Sequence, residues 1–147
     1  MTNKIFLDSW GFITLFNSKE KYHQEVSECF KDCINNKYIF FTSILIISET
    51  ITFIYRKLGH QVSKPAVEIL TKNIDDKLVN LIEVDELRMK KVLELRQKYY
   101  DKPKISFTDL SSMLIMKELE IEEIITADRH FLEVNLGFKL KPSLSNK

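Results

Sequence analysis

Four acidic residues sit at the edges of the most apolar stretches of this chain, and no other feature of it is as suggestive of chemistry. Asp8 follows Lys4-Ile5-Phe6-Leu7, and Glu49 lies inside the run from Ile44 to Ile51. Asp109 stands in Ser106-Phe107-Thr108-Asp109, and Asp128 follows Ile124-Ile125-Thr126-Ala127. A lone carboxylate beside core-forming residues is costly to bury and otherwise stays protonated, so such acids need a partner. A divalent cation shared among Asp8, Glu49, Asp109 and Asp128 is the leading expectation. Each acid also has a blander reading. Asp8 could be a turn residue or a cap ahead of Ser9-Trp10, and Asp109 the third helical residue of a Ser106-x-x-Asp109 cap. Asp128 suits a strand-to-helix turn in which it caps His130 or Phe131. Glu49 is different, because Ile44, Leu45, Ile46 and Phe53 surround it at helical spacing, which argues against a merely solvated side chain.

The elements that must carry these acids alternate. Residues 3 to 7 form a short apolar strand ending at Asp8, and Trp10, Phe12, Ile13 and Phe16 begin a helical pattern. Tyr22, Val26, Cys29, Phe30, Cys33 and Ile34 predict a helix over 20–35 that stops at Asn35-Asn36. Residues 38–42 are aromatic and β-branched and read as a buried strand. Ser43 can cap a helix closing at Gly59, with a further helix over 61–75. A strand over 78–84 and a charged helix over 85–100 follow, and Pro103 breaks the chain before Ser106 opens another helix. Residues 122–126 are a short strand, and 137–140 a final edge strand ended by Pro142. This order predicts an α/β domain with a central, mainly parallel sheet flanked by helices over residues 1–142, with 143–147 as a tail. In such sheets sites form at the carboxyl ends of the strands, where Asp8 and Asp128 fall directly and where the early helical turns bearing Glu49 and Asp109 can face them.

The 147 residues suffice for one domain with a sizeable core. The 22 basic and 21 acidic residues give a net charge of +1, which argues against coating nucleic acid through bulk charge, so any such contact should be local. Cys29 and Cys33 lie four apart with no second pair, so neither a disulfide framework nor a zinc knuckle is indicated, and a reducing cytosol is expected. The N-terminus lacks a signal-peptide pattern and nowhere do eighteen apolar residues run uninterrupted, so a soluble, cytoplasmic protein without membrane contact is expected.

Taken in order, the blocks Ile5-Phe6-Leu7-Asp8-Ser9, Ser48-Glu49-Thr50 with Arg56-Lys57-Leu58-Gly59, Ser106-Phe107-Thr108-Asp109 and Thr126-Ala127-Asp128-Arg129-His130-Phe131 resemble those of PIN-domain ribonucleases. They are especially similar to VapC-type toxins of toxin-antitoxin systems. The resemblance spans residues 4 to 140 and implies a three-layer α/β/α PIN-like fold whose acids bind magnesium or manganese and cut RNA. By position it makes Asp8, Glu49 and Asp109 the core acids and Asp128 the fourth, with Ser9, Thr108 and Thr126 supporting. It also implies an antitoxin protein partner and a homodimer. Trp10, bulky beside the first acid, is a departure that narrows access, and many members of the family are more basic around the cleft.

The chemistry is consistent with the residues themselves. Phosphodiester hydrolysis needs an activated water and neutralised phosphate charge, and hydrated magnesium ions held by carboxylates provide both, leaving a 5′-phosphate on the downstream fragment. Arg129, Lys102 and Lys104 could hold an RNA backbone, although most such cations are solvated surface charges. His130 reads as a packed surface imidazole before it reads as a general base, and His23 and His60 lack ligand spacing. A haloacid-type phosphatase would need a second Asp where Trp10 stands. The three glycines are not clustered for a phosphate loop, and no Gly-x-Ser-x-Gly elbow exists. The alternative is a binding module of the same fold, too poorly metallated to cut, acting through RNA or protein contacts.

Overall fold

A computed structural model describes residues 3–144. Five short strands, β1 (Lys4–Leu7), β2 (Ile39–Ser43), β3 (Val79–Ile82), β4 (Glu123–Ile125) and β5 (Lys139–Lys141), form one sheet in the order β3-β2-β1-β4-β5. Every neighbouring pair is parallel. The sheet is thus wholly rather than mainly parallel, because each strand returns through helices and none through a hairpin. The helices are α1 (Ser9–Phe16), α2 (His23–Asn35), α3 (Ile44–Asp75), α4 (Glu86–Lys98), α5 (Phe107–Glu118) and the single turn α6 (His130–Glu133).

Burial follows the position of each strand. Ile5, Phe6 and Leu7 of the central β1 are all fully buried, as expected of a strand covered on both faces. Ile124 and Ile125 of β4 pack beside them, with Leu110, Met113 and Met116 of α5 and Phe12 of α1 in the same core. Gly11 of α1 lies so close to β4 that an added Cβ would stand 2.9 Å from Ile125 Cγ2 and 3.3 Å from its carbonyl oxygen.

The two helices expected over 43–58 and 61–75 are joined into α3, with a break at Gly59, whose φ of 77° and ψ of 172° are not helical. That backbone region is essentially open only to glycine. Ser43 caps α3 by accepting from the Ile46 amide at 3.3 Å. The final strand covers 139–141 rather than 137–140, since Gly137 adopts a positive φ of 84° and turns the chain before it can pair. The one-turn α6 has no counterpart in the periodicity, being too short to show one. Of the expected tail, Ser143 and Leu144 carry no regular structure, while residues 145–147, like residues 1 and 2, lie outside the described residues. Among the described residues no helix is long and apolar enough to cross a membrane.

The strand order fixes where a site can form. The chain leaves β1 toward β2 and β3, then crosses back past β1 to β4 and β5. Between the carboxyl ends of β1 and β4 the order therefore reverses, and in open α/β sheets such a switch point leaves a crevice.

Candidate metal centre

Asp8 occupies that crevice as the first residue after β1. It is 5% exposed, and its Oδ2 accepts from the Thr126 hydroxyl at 2.6 Å. Burial, and after it the charges of Asp109 and Glu49, push its carboxyl up to about 7, against the opposing effect of the Thr126 and Ser9 hydrogen bonds. Thr126, the first residue after β4, is itself buried and accepts from the Asp128 amide at 3.1 Å. One hydroxyl thus ties the first acid to the turn that bears the last. The contribution of Ser9 comes through its backbone amide.

Asp128 is fixed by an Asx turn. Its Oδ1 accepts from the His130 amide at 2.9 Å and lies 3.0 Å from His130 Nδ1. Asp109 sits in the first turn of α5, where Ser106 and Asp109 form a reciprocal capping box: the Asp109 amide donates to Ser106 Oγ at 3.0 Å and the Ser106 amide to Asp109 Oδ2 at 3.3 Å. Burial raises the Asp109 carboxyl, with the Asp128 and Glu49 charges acting the same way. The capping roles weighed for Asp109 and Asp128 are therefore real. They do not compete with a site at this crevice, because each cap engages one carboxylate oxygen and orients the side chain.

Asp109, Asp128 and His130 place one ligand atom each within 4.8 Å of one another, and among the described residues they are the group so arranged. Asp109 Oδ2 is 4.0 Å from His130 Nδ1, and that buried nitrogen, though 3.0 Å from Asp128 Oδ1, is not aligned with it for a hydrogen bond. Asp8 and Glu49 adjoin the group without belonging to it. His130 is the residue that sequence reasoning undervalued. Its signal was the Asp128-x-His130 spacing in a turn, where the Asx bond folds the imidazole back onto the acid. Glu49 corrects an expectation, since it is exposed, as are Ile44 and Phe53 beside it, because this face of α3 is turned away from the core. It still faces the crevice closely enough for its charge to raise both Asp8 and Asp109.

The donor set suits a hard divalent cation. Carboxylate oxygens are its usual ligands, two of the carboxyls are driven toward protonation by burial and by neighbouring carboxylates, and an imidazole nitrogen beside them makes no aligned hydrogen bond.

Of the cations suggested for a phosphate backbone, Lys102 and Lys104 line a cleft of about 510 Å³ that also contains His130. Their loop is held by Arg96, whose guanidinium donates to the Tyr99 and Lys102 carbonyls at 2.7 Å each and to the Ile105 carbonyl. Lys102 is partly neutralised by Asp101 at 3.2 Å, whereas Lys104 and Arg129 are exposed. Thr108, next to Asp109, lines a second cleft of about 520 Å³ with Glu49.

Comparison with known proteins agrees with this architecture. A crystal structure of VapC20 from Mycobacterium tuberculosis, titled a sarcin-ricin loop cleaving toxin, superposes with a TM-score of 0.75 at 24% identity, covering 92% of this chain and 96% of that one. A structure of VapBC2 from Rickettsia felis bound to a promoter DNA fragment superposes with a TM-score of 0.67 at 13% identity, covering 94% and 97%. No curated protein matches the sequence. The PIN domain family model matches residues 5–136, from the strand that delivers Asp8 to beyond the turn that delivers Asp128, and the chain belongs to the PIN domain family.

Proposed function

We propose that this protein is a metal-dependent endoribonuclease of the VapC type, acting as the toxin of a toxin-antitoxin pair. The observation that carries the reading is the meeting of Asp109, Asp128 and His130, with Asp8 tied to Asp128 through Thr126, at the switch point of a PIN-family sheet. The two solved structures above support it, one named for RNA cleavage and the other a toxin-antitoxin complex. Magnesium or manganese would be held by Asp109, Asp128 and Asp8, with Glu49 adding charge at the rim. When bound, such a cation lowers the pKa of a coordinated water and offsets charge on the scissile phosphate. The chain's own residues do the rest. Thr126 fixes the rotamer of Asp8 and the turn of Asp128, while the Ser106 cap holds Asp109 against them. Lys104, Lys102 and Arg129 supply phosphate contacts that position RNA without reading its sequence. In the cell this reading implies a cytoplasmic protein, a homodimer and an antitoxin that covers the acids.

The test compares the parent with Asp8→Asn and Asp109→Asn on RNA with magnesium or manganese and with chelator. Each variant should keep its fold by circular dichroism and lose at least about 100-fold in cleavage, as the loss of a ligand charge does. Undiminished cleavage by both variants, or cleavage indifferent to chelator, overturns the nuclease assignment. Harmless expression of a folded, metal-active protein overturns the toxin role alone.

A further inference from the structure

The cleft beside Glu49 has a composition that the acids do not explain. Glu49, Thr52, Phe53 and Arg56 follow one another at i, i+3, i+4 and i+7 on α3, which places them on one helical face, and Leu45, Ser48, Lys57 and Thr108 complete the lining. Phe53 is 38% exposed here, an aromatic surface offered to solvent beside Leu45 and among polar and charged groups. Arg56 and Lys57 are exposed and form no ion pair among the described residues. An apolar partner helix laid on this face would have to desolvate Glu49, Arg56 and Lys57 together. A nucleotide does not, since it brings an anion to the cations and a flat π-face to the ring.

Position strengthens the case. This cleft reaches the acids through Thr108 and Glu49, and the Lys102–Lys104 cleft reaches them from the other side through His130. The acids thus adjoin two cation-lined clefts, one bordered by Glu49 and Thr108 and the other by His130. From Glu49 to Arg56 the helix rises roughly 10 Å, so the acidic and basic ends of the α3 cleft are separated along its length.

We infer that the α3 cleft is a subsite for an unpaired nucleotide next to the scissile phosphate, with Phe53 stacking on its base and Arg56 and Lys57 holding its phosphate. The inference rests on the nuclease reading and deepens it. Stacking on an aromatic ring is tolerant of base identity but requires a base free of a duplex stack. The subsite therefore selects single-stranded or looped RNA over paired RNA, without a strict sequence code.

The probes are a short single-stranded oligoribonucleotide with 2-aminopurine beside the cleavage point, and the same sequence fully paired. Phe53→Leu should raise KM for the single strand about ten-fold or more while kcat stays within about threefold, and should lose the stacking quench of 2-aminopurine; Phe53→Trp should retain both. Arg56→Gln and Lys57→Gln should each flatten the dependence of log KM on log salt by about 0.7. On the paired substrate, Phe53→Leu should match the parent. Equal KM and quench for Phe53→Leu and parent overturn the subsite while leaving the nuclease standing. So does an equal loss in the Leu and Trp variants, which would mark a packing role, or an effect confined to neutralisation by a protein partner. A parent that cleaves no RNA with either metal removes the nuclease reading, and the subsite with it.

Discussion

Asp8 is a carboxylate that burial drives toward its protonated form. Its carboxyl stands near 7 in the metal-free protein against a usual value of 3.8, and burial is the main cause. A raised folded-state pKa contributes stability that is complete below about pH 4 and is lost as pH climbs through 7; Asp109 shifts in the same direction. Chelated protein should therefore melt at a higher temperature at pH 5 than at pH 8. Asp8→Asn should remove most of that difference by raising the pH 8 midpoint several degrees. Manganese should reverse the trend, because it binds the ionised carboxylates and so stabilises more at pH 8 than at pH 5. Thermal melts of both proteins at the two pH values decide it, and a parent no less stable at pH 8 under chelator would show Asp8 to be better solvated than its burial implies. At this scale the sequence was partly legible. Acids flanking apolar strands located Asp8 and Asp128, since a strand end dictates where the next side chain falls. Exposure of Glu49 was not legible, because an apolar neighbourhood in sequence does not say which helical face meets the core. His130 was hidden because a hydrogen bond across two residues, rather than helical or strand spacing, brings its ring to the acid.

Among the elements, α1 and β4 form the contact on which the site's geometry depends. Asp8 immediately precedes α1 and Thr126 immediately follows β4, and between them Gly11 touches Ile125 so closely that a methyl has no room. Gly11→Ala should cost about 1–3 kcal/mol in denaturant titration, as overpacking does, and should lower cleavage by forcing apart the two ends of the Asp8–Thr126 hydrogen bond. A variant of parental stability and activity would mean that α1 can shift without cost. Strong local signals made most elements readable: the buried run of β1, the aromatic strand β2, the caps at Ser43 and Ser106, and the stop at Gly59. The turn α6 escaped because its four residues are held by the Asp128 cap and by Phe131, which is buried against Phe138 at 6.1 Å, and both are tertiary facts.

For the whole molecule, near-neutral charge and two local cation-lined clefts belong together. A chain of net charge +1 has little long-range pull on a polyanion, so on the proposed reading RNA recognition is decided within the crevice and the clefts beside it. The sheet order itself was not written in the periodicity, which gives strands but not neighbours; in the fold β4 pairs with the edge of β1 opposite β2, which leaves β1 central.

That order has a consequence for synthesis. The hydrogen bond joining Asp8 to Thr126 spans 118 residues, and β1 acquires its second neighbour only when residues 123–125 arrive. While the chain is being made, from the amino end at roughly 5–20 residues per second, the ribosome releases the first acid early and the groups that complete its site late. A chain halted before residue 123 should show neither cooperative unfolding nor cleavage, and a ribosome-bound chain of that length should be inert when probed with labelled RNA; activity in either would contradict this assembly order. Whatever chemistry the assembled crevice performs would thus be withheld from every incomplete copy until the last central strand pair closes.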